Sequence, residues 1–284
     1  MKIESKATDT FRIERDADAP GVVVMTMARP EAMNSFNVAQ FFSMLDAFEA
    51  VRHDKSVRAI VLTGEGRAFC AGADISQGFA SSGFGDGADA RQVETVDGLA
   101  RDTGGQLNIA ISKVNVPIIA AMNGAAVGIG LTMVLPCDIR IAARGAKYAF
   151  PFVRRGIVFD GAASFFLPKL VGHSKAAQWS LTGSYIDPED GLRSGLFSEL
   201  HDAGDVLPRA MELARDIAVN CSPESVAQNK RLLRAVMLGE ASPFDAHMEE
   251  SRILSEMFVA PDCMEGVQAF LQKRAPEFED RKTG

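Results

Sequence analysis

Two glycine-rich stretches, FCAGAD at 69–74 and NGAAVGIG at 123–130, each come after an apolar run that reads as a strand, with a helix plausible after each. Such turns expose backbone N–H groups. Small residues let the main chain approach a ligand closely, and the first N–H groups of a helix lack intrahelical partners. Two such donors converging from different turns form an oxyanion hole, which stabilises charge developing on a carbonyl oxygen by on the order of 3 kcal/mol per donor. Glycine turns after strands are also routine in α/β chains, so the pair alone leaves a catalytic and a purely structural reading open.

The second turn lies in VNVPIIAAMNGAAVGIGLTMVLPC, residues 114–137, which holds no charge in a chain that is 24% Asp, Glu, Lys and Arg. Pro117, Pro136, two asparagines and the glycines break it into pieces shorter than the roughly 20 apolar residues a membrane span needs. A dinucleotide fingerprint fails as well, because Met133 stands where the third glycine of G-x-G-x-x-G belongs. The pattern that remains is a buried strand, VPIIAAM, a turn at Asn123-Gly124, and a short apolar helix from about Gly128.

The elements that must hold these turns can be read along the chain. FRIERD and GVVVMTMA predict a hairpin across Ala19-Pro20-Gly21, and Val38 to Asp54 predicts a helix with Phe41, Met44, Leu45 and Phe48 on one face. RAIVLTG reads as a buried strand, residues 77–90 as a loop of turn composition, and Gln92 to Ser112 as a helix. DIRIAAR and KYAF supply short strands, and from about Gly161 the patterns are helical only. These patterns divide the chain into a core over 1–205 and a C-terminal helical region over 206–284.

Composition narrows the function class. With 284 residues, 47% hydrophobic content and a net charge of −7, the chain is globular and poorly suited to nucleic acid or anionic lipid, which leaves a small-molecule substrate. Cys70, Cys137, Cys221 and Cys263 lack C-x-x-C spacing and read as reduced core residues, with no metal site expected. His53, His173, His201 and His247 are scattered, and Ser174 has no G-x-S-x-G elbow around it, so a hydrolase triad has no support. The first sixteen residues carry no signal-peptide h-region, which predicts a cytoplasmic location.

Taken together and in order, RPEAMNSF (29–36), AFCAGADIS (68–76), NGAAVGIGLTM (123–133), CDIRIAA (137–143) and AFLQKRAPEF (269–278) resemble the crotonase, or enoyl-CoA hydratase/isomerase, superfamily. The resemblance implies an α/β fold, a crotonase-like spiral of β-β-α turns with a C-terminal helical region, assembled as a homotrimer or hexamer. It implies an acyl-CoA thioester substrate, with coenzyme A part of the substrate and no separate cofactor. It puts the two oxyanion donors at the N–H groups of Ala73 and Ile129; family members often carry glycine at the latter position. Arg29, Ala32, Ala71, Asp74 and Ile75 match positions lining the CoA nucleotide and pantetheine. Phe270 and Lys273, three apart on the last helix, match residues reaching CoA from the C-terminal region; otherwise they read as core packing and a solvated helix face.

The acid/base groups depart from the hydratase pattern, because Thr132 and Phe152 stand where a hydratase carries glutamates. Hydration needs a carboxylate to activate water and an acid to protonate carbon, so their loss favours isomerisation of an enoyl-CoA double bond. Asp160 matches the place where isomerases of the family keep a catalytic carboxylate, and its alternative reading is an N-cap for a helix starting near Ala162. A hydratase, or a weakened protein that only binds acyl-CoA, remains the alternative.

Overall fold

The computed structural model describes residues 6–75 and 95–282. Strands β1 (Lys6–Ala7), β2 (Phe11–Arg15) and β3 (Val22–Met27) form an antiparallel meander, which contains the expected hairpin. Helix α1 (Val38–His53) starts at Asn37, whose side chain accepts from the Gln40 N–H, and it buries Phe41, Met44 and Phe48 on its inner face.

Three β-β-α turns then follow one another. The first is β4 (Ala59–Gly64), β5 (Ala68–Cys70) and, after a small hairpin of β6 (Thr95–Val96) and β7 (Leu99–Ala100), α2 (Thr103–Ser112). The second is β8 (Ile118–Met122), β9 (Ala125–Val127) and the single turn α3 (Ile129–Thr132). The third is β10 (Ile139–Ala143), β11 (Tyr148–Ala149) and α4 (Ala163–Val171). In each, the first strand joins one parallel array, β4-β8-β10, and the second joins another, β5-β9-β11. The switch between arrays is tight: a Cβ at Gly124 would lie 2.2 Å from the Arg67 carbonyl oxygen, so only glycine fits between β8 and β9.

Two expectations change here. The helix predicted from Gln92 begins only at Thr103 in the described residues, because Asp97 and Gly98 both adopt positive φ and turn the chain into a hairpin. Residues 92–94, and the loop predicted over 77–90, lie outside the described residues. The second half is not helical throughout either. Between α5 (His173–Thr182), α6 (Pro188–Arg193) and α7 (Ala203–Asn220) lie β12 (Tyr185–Ile186) and β13 (Glu199–His201), which complete the sheet orders β12-β11-β9-β5 and β1-β2-β3-β4-β8-β10-β13. Strands this short carry no periodicity of their own; their pairing with β11 and β10 creates them.

The central strands of the seven-stranded sheet are buried on both faces, which is why β4 and β8 read as near-continuous apolar runs. Ile60, Leu62, Ile118 and Ala120 join the core that contains α1, while Val61, Ile119, Ala121 and Ile141 point the other way. That second face is covered by Val206, Ala210, Ala214 and Ala218 of α7, a helix that runs across residues 205 and 206. The chain continues through α8 (Pro223–Leu238), α9 (Pro243–Met257) and α10 (Pro261–Gln272). Lys230 of α8 is buried and reaches the Asp138 carboxylate at 2.5 Å and the Val116 carbonyl at 2.7 Å, joining the late helices to the sheet. After α10 the chain returns to α1, where the buried Arg281 guanidinium donates to the carbonyls of Val51 at 3.0 Å and Asp54 at 2.7 Å. Among the described residues no helix is long and apolar enough to cross a membrane.

Candidate active site

Both glycine turns leave the same edge of the second sheet. They follow the C-terminal ends of β5 and β9, which are paired and parallel. Ala73 makes a parallel bridge to Phe36, in which the Phe36 N–H donates to the Gly72 carbonyl and the Asp74 N–H to the Phe36 carbonyl, each at 2.8 Å. In that pairing the Ala73 N–H faces away from Phe36, and it has no acceptor among the described residues. Ile129 opens α3 and its N–H likewise has none there, as the first positions of a helix dictate. The turns touch: a Cβ on Gly130 would sit 2.2 Å from the Cys70 carbonyl oxygen, and one on Gly72 would sit 3.1 Å from that of Val127. The Ile129 side chain is buried against α2, with Cδ1 2.6 Å from where a Gly104 Cβ would stand. A glycine on the neighbouring helix thus makes room for the branched residue in this turn.

One helical turn past Ile129, the Thr132 hydroxyl donates to Asp160 Oδ1 at 2.5 Å. Asp160 is partly buried, and its carboxyl is pushed up to about 7, first by burial and further by the charge of Asp102, against the lowering effect of the Thr132 bond. It does not cap α4. The N-cap is Ala162, which has positive φ and makes no side-chain cap, so the helix-cap role expected as the alternative for Asp160 is absent. Phe152, where the resemblance expects a glutamate, is buried beside Gly128 and packs edge-on against Phe159 at 5.8 Å between centroids. The Cys70 thiol below the first turn is pushed up to about 12 by burial and stays protonated.

The residues matched to CoA binding fall into two groups. Arg29 donates to Asp74 at 2.9 Å and to the Ser35 carbonyl at 2.7 Å, and the Ala71 N–H donates to the Met33 carbonyl at 3.1 Å. Those bonds hold the 29–35 segment against Ala71 and Asp74, and Ile75, next along the chain, is half exposed. Buried Asn34 fixes this segment by accepting from the Arg29 N–H and donating to the carbonyls of Glu65 and Ala68. Phe270 stands apart at 82% exposed, and Lys273 is the left-handed C-cap of α10 rather than part of its face. The expectation that the two share a helical face is corrected on that ground.

The enoyl-CoA hydratase/isomerase family matches residues 18–281. The chain belongs to this family. An enoyl-CoA hydratase of Alternaria alternata is 43% identical over 97% of the chain and 88% of its own length. A 1,2-epoxyphenylacetyl-CoA isomerase of Escherichia coli is 30% identical over 91% and 95%. Among solved structures, a probable enoyl-CoA hydratase/isomerase from Mycobacterium abscessus superposes with a TM-score of 0.83 at 34% identity, covering 95% of this chain and all of that one. The spiral of β-β-α turns is therefore that of the enoyl-CoA hydratase/isomerase family, as the sequence blocks implied.

Three residues around Asp160 escape a motif reading. Thr132 stands out in the sequence only as a missing glutamate, yet it supplies the hydroxyl. Asp102 accepts from the Gly161 N–H at 3.1 Å, and Asn108 donates to the Gly161 carbonyl at 2.5 Å. The Asp-Thr-Gly-Gly order at 102–105 is an N-cap signal that could have marked Asp102, whereas nothing local marks Asn108.

Proposed function

We propose that this enzyme shifts the double bond of an enoyl-CoA, with Asp160 as the base and the N–H groups of Ala73 and Ile129 holding the thioester oxygen. The observation that carries the reading is the Thr132–Asp160 bond, which anchors a carboxylate one helical turn from the Ile129 donor. A carboxylate titrating near neutrality is matched to moving a proton at carbon. In the forward direction Asp160 takes a proton from C2 of a 3-enoyl-CoA. The electrons pass into the thioester carbonyl as a dienolate, whose oxygen the two N–H groups stabilise. Asp160 returns the proton at C4, leaving the 2-enoyl isomer, so one base on one face of the chain suffices. Arg29, Ala32, Ala71, Asp74 and Ile75 would receive the CoA, with Phe270 and Lys273 closing on it, and no cofactor beyond that CoA is required.

Asp160→Asn keeps the size and removes the base. We expect it to fold, to bind acyl-CoA, and to lose isomerisation of a 3-enoyl-CoA by at least about 100-fold. Near-normal turnover in that variant overturns the assignment. The relative from Alternaria alternata is named a hydratase, which favours a second reading, addition of water to a 2-enoyl-CoA. Wild-type hydration of 2-enoyl-CoA faster than isomerisation of the 3-enoyl isomer would establish that reading instead.

A further inference from the structure

We propose that Asp102 and Asn108 are positioning residues for Asp160: they hold the backbone N–H and C=O of Gly161 and set a second carboxylate beside the base. The inference rests on the reading of Asp160 as the base.

Gly161 follows Asp160 directly, and each of its backbone polar groups goes to α2. Its N–H donates to Asp102 Oδ1 at 3.1 Å, and its carbonyl accepts from Asn108 Nδ2 at 2.5 Å. Asn108 is fully buried and its second N–H donates to the Thr132 carbonyl at 2.9 Å, so one amide joins the loop that bears the base to the turn that bears its hydroxyl partner. The fit is close. A Cβ on Gly161 would lie 2.8 Å from Asn108 Nδ2 and 3.1 Å from Thr132 Oγ1. Gly161 and Ala162 both hold positive φ, a conformation that costs a non-glycine residue about 1 kcal/mol and so needs outside bonds to keep it.

The same grip has an electrostatic side. Asp102 is the N-cap of α2, accepting from the Gly105 N–H at 2.5 Å, and no Lys or Arg pairs with it or with Asp160 among the described residues. Among the described residues, the groups facing Asp160 are the Asp102 carboxylate from the start of α2, the Thr132 hydroxyl from α3 and the protonated Cys70 thiol from β5. Asp102 is therefore the nearby charge that opposes ionisation of the base. The hydroxyl aids ionisation, and Asp102 holds it back.

The test is the pH profile of kcat/KM for 3-enoyl-CoA isomerisation in wild type, Asp102→Asn and Asp102→Ser. Asn and Ser both cap helices and can still accept from Gly161, but neither carries charge. The acid limb is expected to move to lower pH by about half a unit or more in both, since a like charge near the base is gone. Asn108→Leu, which keeps volume and loses both bonds, is expected to lower kcat at least about tenfold while leaving KM within about twofold. Should one Asp102 variant fail to fold, the other carries the same comparison. An unmoved acid limb, or an Asn108→Leu enzyme with normal kcat, overturns the proposal while an inactive Asp160→Asn leaves the base in place. An active Asp160→Asn removes the base reading itself, and this proposal with it.

Discussion

Asp160 holds its proton over a pH range in which an ordinary aspartate has lost it, and that difference is visible in stability as well as in rate. Its folded value is about 7 against about 3.8 when unfolded, so between those values the folded chain binds more protons. This group's contribution is greatest below about pH 4 and is lost as pH rises through 7. Its upper bound is about 4 kcal/mol, before the screening that its partial exposure allows. Asp160→Asn is expected to remove that loss, so the stability of the variant relative to wild type should rise between pH 4 and 7 in urea titrations. A difference flat with pH would show the carboxyl titrating normally. The donors are tested separately. Ala73→Pro removes one N–H from a position that uses none in the fold, and kcat should fall about 100- to 1000-fold in a folded protein. Unchanged turnover there would move the thioester oxygen elsewhere.

At the scale of the element, the sequence was most legible where periodicity and caps agreed. The α1 face and the β2–β3 hairpin are plain from spacing, and the β4 and β8 strands from their apolar runs. Asp160 and the two donor turns were legible only through blocks spread over the whole chain, because backbone donors leave no side-chain signature. What stayed hidden was whatever tertiary contact alone creates: β12 and β13, and the bonds from Asp102 and Asn108 to Gly161. The Asp97-Gly98 pair carries a hairpin signal of its own, since both residues favour positive φ. Close contact between the donor turns gives the element-scale prediction. Gly130→Ala puts a methyl 2.2 Å from the Cys70 carbonyl, and β5 and α3 cannot part without tilting the Ile129 N–H. We expect a loss of about 1–3 kcal/mol in stability, typical of overpacking, with a larger loss of kcat than of acyl-CoA affinity. Full activity in Gly130→Ala would mean the turns have slack that their spacing does not show.

At the scale of the whole molecule, the late helices carry more apolar surface than their own packing covers. Leu233, Val236, Phe244, Phe258, Val259 and Leu271 are all more than half exposed in the single chain. Side chains of this size are seldom left to water in such number, and we predict that they are buried between copies in a trimer or a pair of trimers. Light scattering at micromolar concentration should give a mass of three or six chains, and a monomer would contradict it. The contact between Arg281 and the end of α1 bears on how the molecule is made. Synthesis runs from the N-terminus, and the carbonyls of Val51 and Asp54, which already accept from the N–H groups of Asp54 and Val57, gain the guanidinium only 227 or more residues later. Until Arg281 has been synthesised and folded back, the end of α1 lacks this donor. Closure of this end of α1 therefore follows the synthesis of every described strand and helix, the last of which ends at Gln272.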